Sequence, residues 1–97
     1  MDKRIRLNML YDYYKDFFTT KQQDYFEDYY YNNYSLGEIA EENNVSRNAV
    51  HNQLKIVEER LEEMESILGL VSKKEKVLAL LEKEVSGDTL EQIKEIL

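Results

Sequence analysis

The sequence contains no cysteine and no proline, and it has only three glycines and one histidine among 97 residues. Without cysteine the chain has neither a disulfide framework nor a thiolate zinc site, and it has no thiol nucleophile. The scattered glycines do not make a phosphate-binding loop. The single histidine, His51, is better explained as a contact to a partner or to water than as a catalytic group. We therefore expect no enzymatic activity, no cofactor and no metal site.

Long apolar runs are absent as well, so the sequence predicts neither a membrane-spanning helix nor a signal peptide, and we expect a cytoplasmic protein. Hydrophobic residues nevertheless make up 42% of the chain. A chain of this length and content can form one compact helical domain with an appendage, and it is not typical of a disordered tail.

The segment SLGEIAEENNVSRNAVHNQLK, residues 35–55, has the pattern of a helix-turn-helix. Ser35 and Glu38 have the spacing of a capping box, which predicts that the first helix begins immediately after the serine. Asn43 and Asn44 predict the turn, because asparagine tolerates the left-handed backbone conformation that a sharp turn requires. The segment therefore predicts the arrangement that presents one helix to the major groove of DNA.

The second helix of the motif has one apolar and one polar side. Val50 and Leu54 are one turn apart and form the buried side. Hydrogen-bonding residues occupy the helix start and the opposite side, and we predict that these residues contact DNA: Ser46, Arg47, Asn48, His51, Asn52 and Lys55. Arginine can bond guanine bidentately and asparagine can bond adenine, while lysine and a capping serine suit phosphate. The alternative is that any solvent-exposed helix has a polar free side. The two caps, the turn and Val45 at the corner together favour DNA reading.

The net charge of −7 argues against nucleic-acid binding, because an acidic protein repels phosphate. More than half of this charge lies in residues 56–71, which carry five acidic groups and one basic group. The outer face of the motif is locally neutral to weakly basic. Binding through so few cations predicts weak, salt-sensitive affinity unless a second copy contributes. A homodimer is therefore part of the functional prediction.

A heptad-like apolar stripe runs from the motif towards Gly69 and consists of Val50, Leu54, Val57, Leu61, Met64 and Leu68. No proline or glycine interrupts it, which predicts one helix over residues 47–68, about 33 Å long. The distal half of this helix must bury its stripe against a tail folded on itself or against a second chain. We favour two chains, because the tail is short for a core of its own. The predicted dimer seam is Val57, Leu61, Met64, Leu68, Leu81 and Ile93.

Capping pairs mark the remaining helices: Thr20 with Gln23, Ser72 with Glu75, and Asp88 with Glu91. We divide the chain into a helix-turn-helix domain, residues 1–55, and a long-helix continuation with a C-terminal helical dimerisation tail, residues 56–97. The first domain is predicted to contain helices at about 3–18, 21–32 and 36–43 and the start of 47–68. The predicted fold class is all-α.

Eight tyrosines and three phenylalanines lie upstream of the motif. Aromatic side chains can stack on unpaired bases. Their helical spacing, shared with apolar residues such as Ile5, instead favours the core of a small domain. Phe17 and Phe18 are assigned to the apolar side of the first helix, while Tyr11 and Tyr31 are candidates for an exposed partner surface.

An acidic run follows the motif in the long helix: Glu58, Glu59, Glu62, Glu63 and Glu65. Several of these carboxylates point away from one another around a helix, and no histidine converges on them. We interpret the run as a solvated face and not as a metal site.

The segment from Thr20 to Lys55 resembles the region of bacterial sigma factors that reads the upstream promoter element. The core and cap positions of that pattern are Phe26, Tyr30, Ser35, Glu38, Ile39, Ala40, Val45, Ser46, Val50 and Leu54. Asn43 stands where sigma-type motifs usually have an apolar residue.

Over essentially the whole chain, the aromatic N-terminal helix, the segment SLGEIAEENNVSRNAV and the long glutamate-rich helix closely resemble the YlxM family. That family consists of small bacterial helix-turn-helix proteins encoded beside the gene for the signal recognition particle GTPase. The resemblance implies a fold like sigma factor region 4 and a DNA-binding regulatory role connected with protein targeting.

Two functional hypotheses follow. The first is a homodimeric, DNA-binding transcription regulator, possessing two reading heads and acting in or on the signal recognition particle pathway. The second is a protein–protein or ribonucleoprotein interaction module of the signal recognition particle machinery. In that case the acidic long helix and the tyrosine-rich surface bind a basic ribonucleoprotein or its GTPase. The helix-turn-helix then serves as a scaffold, without sequence-specific DNA binding.

Overall fold

The computed structural model describes residues 2–97, and over that range the chain is helical with no strand. The helices are α1 (Lys3–Tyr14), α2 (Thr20–Tyr30), α3 (Leu36–Asn43), α4 (Arg47–Leu68), α5 (Leu70–Leu81) and α6 (Gly87–Ile96). A short 3-10 turn, Lys15–Phe17, follows α1. The prediction of an all-α, helix-turn-helix fold is confirmed.

α4 is the central helix of the molecule. It packs against α1, α2 and α3 and also against α5, while α6 packs on α5. The radius of gyration is 16.4 Å, which exceeds the roughly 12.5 Å expected for a compact domain of this length. The molecule measures 53 Å in its longest dimension and 25 and 23 Å in the others. It is therefore elongated, and α6 contributes no buried residue.

The hydrophobic core is formed mainly by α1, α2, α3 and α4. Its buried side chains are Leu7, Leu10, Tyr11, Tyr14, Phe18, Tyr25, Phe26, Ile39, Ala40, Val50, Leu54, Val57, Leu61 and Val71. The Phe26 ring centroid is 4.1 Å from that of Tyr11 and 4.5 Å from that of Tyr30. This packing of the rings confirms that the aromatic cluster forms core.

Some aromatic and apolar positions differ from the prediction. Tyr11, a candidate for an exposed surface, is buried against Phe26, and its hydroxyl donates a hydrogen bond to Glu27 at 2.6 Å. Burial and that carboxylate raise the pKa of Tyr11. Phe17 and Ile5, both assigned to the apolar side of the first helix, are exposed. The helix ends four residues before the predicted boundary, and the 3-10 turn that follows carries Phe17 away from the core.

The capping pairs predicted for α2, α5 and α6 are displaced. α2 begins one residue early, because Thr19 has the extended backbone of a cap and exchanges hydrogen bonds of 3.1 Å with Gln22. α6 is capped by the Ser86 hydroxyl, which accepts an amide hydrogen bond at 3.3 Å. α5 begins directly after Gly69 and not at Ser72.

Glu65 is a buried carboxylate that joins α5 to α4 and α1. Its oxygens accept hydrogen bonds from the Tyr14 hydroxyl at 2.7 Å and from the amides of Val71 at 3.1 Å and Ser72 at 3.0 Å. These amides belong to the first turn of α5, where N–H groups have no partner within the helix. Gly69, which precedes that turn, has no side chain to cap it. The prediction of a solvated face is therefore wrong for Glu65.

Two further glutamates of the acidic run accept hydrogen bonds from other side chains of the protein. Glu62 accepts both guanidinium hydrogen bonds of Arg6, at 2.7 and 2.9 Å. Glu58 accepts one from the Tyr30 hydroxyl at 2.8 Å. The remaining members are exposed, as predicted: Glu59 and Glu63.

The carboxylate of Glu65 makes the folding stability depend on pH. Burial alone would raise its pKa, but the hydrogen bonds from Tyr14, Ser72 and Val71 outweigh burial and hold the pKa below its ordinary value of 4.5. The unfolded chain therefore takes up this proton at a higher pH than the folded chain, and stability falls as the pH is lowered through and below about 4.5. Thermal melts from pH 7 to pH 3 should show this decline. Glu65→Gln, which does not titrate, should show a shallower one, and parallel curves would contradict the assignment.

The apolar stripe of α4 is largely covered by the chain itself. Val57 and Leu61 are fully buried, because α1 packs along this part of α4. Met64 is half-buried against the same core, whereas Leu68 is 42% exposed. The predicted dimer seam is therefore wrong at Val57 and Leu61, which have no surface left for a second chain. The core also continues past residue 55, into the part of the chain assigned to the tail.

Exposed apolar side chains are concentrated in the last third of the chain. Ile67, Leu80 and Ile96 are 73%, 74% and 83% exposed. Leu81 and Ile93, both in the predicted seam, are half-buried. Across residues 2–97, no helix combines the length and the apolar character needed to cross a membrane.

Candidate nucleic-acid interface

α3, the turn after it and the start of α4 form the helix-turn-helix. Ser35 and Glu38 make the predicted capping box, with both hydrogen bonds at 3.1 Å. Asn44 has the predicted left-handed conformation, with φ 57° and ψ 44°. The amide of Val45 donates to the Ala40 carbonyl at 3.0 Å, and the valine side chain packs against the core. The turn therefore fixes the angle at which α4 leaves α3.

Asn43 is the last residue of α3. Its side-chain amide donates a hydrogen bond to the Ile39 carbonyl at 2.8 Å. This carbonyl is one turn back in the same helix, so the polar side chain is satisfied locally while it stays half-buried. The motif therefore holds a polar residue at this half-buried position without leaving its side-chain amide unpaired.

The predicted DNA-contacting residues are all exposed and lie together at the start of α4. Val50 and Leu54 point into the core and orient the helix. The residues on the other side span an arc of about 140° at 100° per residue, and with the cap they form what we term the recognition face: Ser46, Arg47, Asn48, His51, Asn52 and Lys55.

The recognition face begins with Ser46 and Arg47, whose side chains make different contacts within the protein. The Ser46 hydroxyl accepts a hydrogen bond from the Ala49 amide at 3.0 Å, and its own hydrogen remains available to a phosphate. The Arg47 side chain lies across the first turn of α3. A Cβ placed on Gly37 would be 3.0 Å from the Arg47 Nε. Gly37 thus leaves the room in which the guanidinium rests, a role that the sequence analysis did not assign.

Alanine at Gly37 should raise stability while it displaces the Arg47 guanidinium. Gly37 is in a helix and has no positive φ, so alanine should add roughly 0.5–1 kcal/mol of stability. The flexible arginine can move away at small cost. Thermal denaturation should show a higher melting temperature. Gly87→Ala is the matched control, because a Cβ there meets no atom within 4 Å. A loss of stability at Gly37 alone would mean that the arginine is fixed in place.

The charge around the recognition face is mixed. Arg47 and Lys55 supply the fixed positive charges, whereas α3 carries three exposed glutamates. The recognition face of a single chain therefore presents little net positive charge to a phosphate. Among residues 2–97, no group of three or more acidic or histidine side chains could hold a metal ion.

Arg4 positions the segment that leads into the motif, and sequence reasoning missed it. Its guanidinium donates to the carbonyls of Tyr29 at 2.9 Å and Tyr30 at 3.1 Å and to the side-chain oxygen of Asn33 at 3.1 Å. It also lies 5.0 Å from the Tyr30 ring centroid. The last carbonyls of α2 thereby gain a partner. Asn33 has a positive φ of 58°, which the Asn32-Asn33 pair in the sequence could have indicated.

Comparison with known proteins supports this assignment of the motif. The family described as "Putative helix-turn-helix protein, YlxM / p13 like" matches residues 1–96. A UPF0122 protein of Listeria monocytogenes serotype 4b is 43% identical over 107 aligned positions, covering 98% of this chain and 97% of the relative. UPF0122 proteins of Oceanobacillus iheyensis and Halalkalibacterium halodurans are 48% and 46% identical. The two alignments cover 86% and 84% of this chain, and 79% and 75% of the respective relatives. The chain therefore belongs to the UPF0122 family of YlxM/p13-like helix-turn-helix proteins.

Proposed function

We propose that this protein binds double-stranded DNA through the recognition face and regulates transcription as a homodimer. The observation that carries the proposal is the exposed first turn of α4, with Arg47 and Asn48 beside the Ser46 cap in a helix-turn-helix. A helix of this kind enters the major groove with its N-terminal residues against base edges.

The residues of the recognition face suit different parts of a DNA site. Arg47 can leave its position over α3 and bond a guanine through both of its terminal nitrogens, and Asn48 can bond an adenine. His51 and Asn52, one turn further along, suit bases or the backbone. Lys55 is two turns further along α4, where the helix would leave the major groove of DNA, and it suits a phosphate.

The proposed homodimer compensates for the small number of positive charges on each recognition face. One chain offers few cations to phosphate, and two linked recognition faces gain affinity because the second binds at a high effective concentration. Exposed apolar side chains on α5, α6 and the end of α4, such as Leu80 and Ile96, support pairing, because they offer a second chain apolar surface to cover. Because Val57 and Leu61 are buried, they no longer belong to the proposed seam. The remaining seam residues have accessible surface: Met64, Leu68, Leu81 and Ile93.

Arg47→Ala and Lys55→Ala should weaken DNA binding in different ways. Loss of a bidentate base contact should cost about 1–3 kcal/mol, roughly 5- to 150-fold in affinity, and relax sequence preference. Loss of a phosphate contact should weaken binding to all sequences and reduce the salt slope by about one. Affinity would be measured on the DNA upstream of the protein's own operon at two salt concentrations. Lys83→Ala, an exposed lysine of the tail, is the matched control. No DNA affinity, or affinity unchanged by both substitutions, would contradict the proposal.

A second candidate function is supported by the excess of acidic groups. The resemblance to the YlxM family supports a role in the signal recognition particle pathway, and a net charge of −7 suits a basic protein or ribonucleoprotein partner. Glu59 and Glu63 are exposed members of the acidic run. Reversing both to lysine should abolish binding to a signal recognition particle component, whereas Glu41→Lys on α3 should not. Binding that survives the double reversal would contradict this function.

A further inference from the structure

A groove lies beside the recognition face, between α4 and the ends of α1 and α2. It has a volume of about 720 Å³ and follows α4 from His51 to Glu62. The eleven steps of helix between these two residues correspond to about 16 Å, or three turns. The groove is therefore long enough to hold a short helix, and its volume is within the range of binding sites.

The floor of the groove is apolar. Its side chains come from all four helices of the core: Leu7, Tyr29, Tyr30, Leu36 and Leu54. Leu7 and Leu54 are buried, and the others are half-buried. Binding to such a floor is favourable when aliphatic side chains of an occupant displace water from it.

The charges on the rim are separated along α4. Glu58, Glu59 and Glu62 line one end, and His51 and Lys55 line the other. Ion pairs already hold Glu58 to Lys3, at 3.4 Å, and Glu62 to Arg6, at 2.7 Å.

Among residues 2–97, no ion pair includes Glu59, which lies exposed at the acidic end beside the equally exposed Glu63. The end of the groove away from the recognition face therefore attracts positive charge.

α5 carries a surface that complements the groove. It has twelve residues, a little over three turns. Its solvent side, opposite the buried Val71, carries exposed lysines in the first half and exposed apolar side chains in the second. These residues are Lys73, Lys76, Val77 and Leu80. Lys73 and Lys76 have no ion-pair partner among residues 2–97. Leu80, at 74% exposed, gains most from being covered.

We propose that α5 of a second copy of this chain docks in the groove, antiparallel to α4. In that direction Lys73 and Lys76 reach Glu59, while Val77 and Leu80 lie over the apolar floor. The helix dipole acts in the same sense, because the positive N-terminus of α5 meets the glutamates. Length, apolar surface and charge thus favour one occupant in one direction.

Docking of this kind would set the distance between two recognition faces. The groove borders the recognition face only at His51 and Lys55, and Arg47 and Asn48 lie outside its lining. Both chains therefore keep their N-terminal base-reading residues accessible. The inference rests on the proposed homodimer and names the surface that receives the tail.

Charge exchange between Glu59 and Lys76 tests the contact in the full-length protein. Glu59→Lys and Lys76→Glu should each weaken self-association by about three- to tenfold, because each brings like charges together at the rim. The double variant should recover most of the loss, since it restores the pair in reverse. Leu80→Asp should weaken self-association by more than tenfold. Sedimentation velocity over a range of protein concentrations measures all of these, and Glu41→Lys on α3 is the control with the same charge change.

Several outcomes would overturn the inference. These are a wild-type protein that is monomeric at tens of micromolar, single variants that associate like wild type, and a double variant that does not recover. Association that depends on Leu80 but not on either charge would place α5 on another surface and would also overturn it. Because these measurements contain no DNA, they are independent of DNA binding. A protein that self-associates in this way but binds no DNA would contradict only the proposed function.

Discussion

Replacing Glu65 by alanine is expected to destabilise the protein by about 3 kcal/mol, because three donors lose their acceptor in a buried place. The Tyr14 hydroxyl and the amides of Val71 and Ser72 all bond this one carboxylate. Water can replace only part of what they lose. For a domain of this size the melting temperature should fall by roughly 15 °C. Hydrogen exchange should also show faster exchange at the start of α5, since the first turn of that helix loses its cap.

Glu63→Ala is the matched control for this experiment. Glu63 lies two residues away on the same helix but is exposed, so its loss should change stability by less than about 0.5 kcal/mol. Tyr14→Phe removes one of the three donors and should cause an intermediate loss. Equal effects of the substitutions at Glu65 and Glu63 would mean that the carboxylate does not hold α5 in place.

Replacing Phe26 by alanine should have the largest effect of any single change considered, about 4 kcal/mol. Phe26 is completely buried, and its ring stacks on Tyr11 and packs at a tilt against Tyr30. Its removal leaves a cavity and breaks two aromatic contacts at once. Small domains have only about 5–15 kcal/mol of total stability, so the variant should be partly unfolded at moderate temperature. Urea unfolding followed by circular dichroism would measure the loss.

Phe17→Ala provides a control of the same chemistry. The Phe17 side chain is 69% exposed, and its truncation should change stability by less than about 0.5 kcal/mol. A small effect at Phe26 would mean that the aromatic rings can repack around the missing side chain.

The helix-turn-helix was predictable because its signals are local. Ser35 and Glu38 are three residues apart, and their capping box needs no other part of the chain. Asn44 adopts the left-handed conformation that its residue type favours, and Gly69 ends α4 with φ 62° for the same reason. The bounds of α3 and α4 therefore agree with the prediction.

The contacts that join the helices were not predictable, because they link residues far apart in sequence. Glu65 and Tyr14 are 51 positions apart, and Arg4 reaches carbonyls of α2 25 and 26 positions away. The stripe of α4 shows the same limit. Its spacing correctly identified Val57 and Leu61 as apolar positions that must be covered. Periodicity does not say whether the cover is α1 of the same chain or another molecule.

α4 is one uninterrupted helix from the Ser46 cap to Gly69, and it contains both the recognition face and Glu65. The recognition face and the start of α5 are therefore set in phase by helical geometry. Each residue inserted or deleted between Lys55 and Glu65 would turn the recognition face by about 100° and shift it by about 1.5 Å relative to α5. A loop could absorb such a change, but this helix would convert it into a different angle between the recognition face and the C-terminal helices.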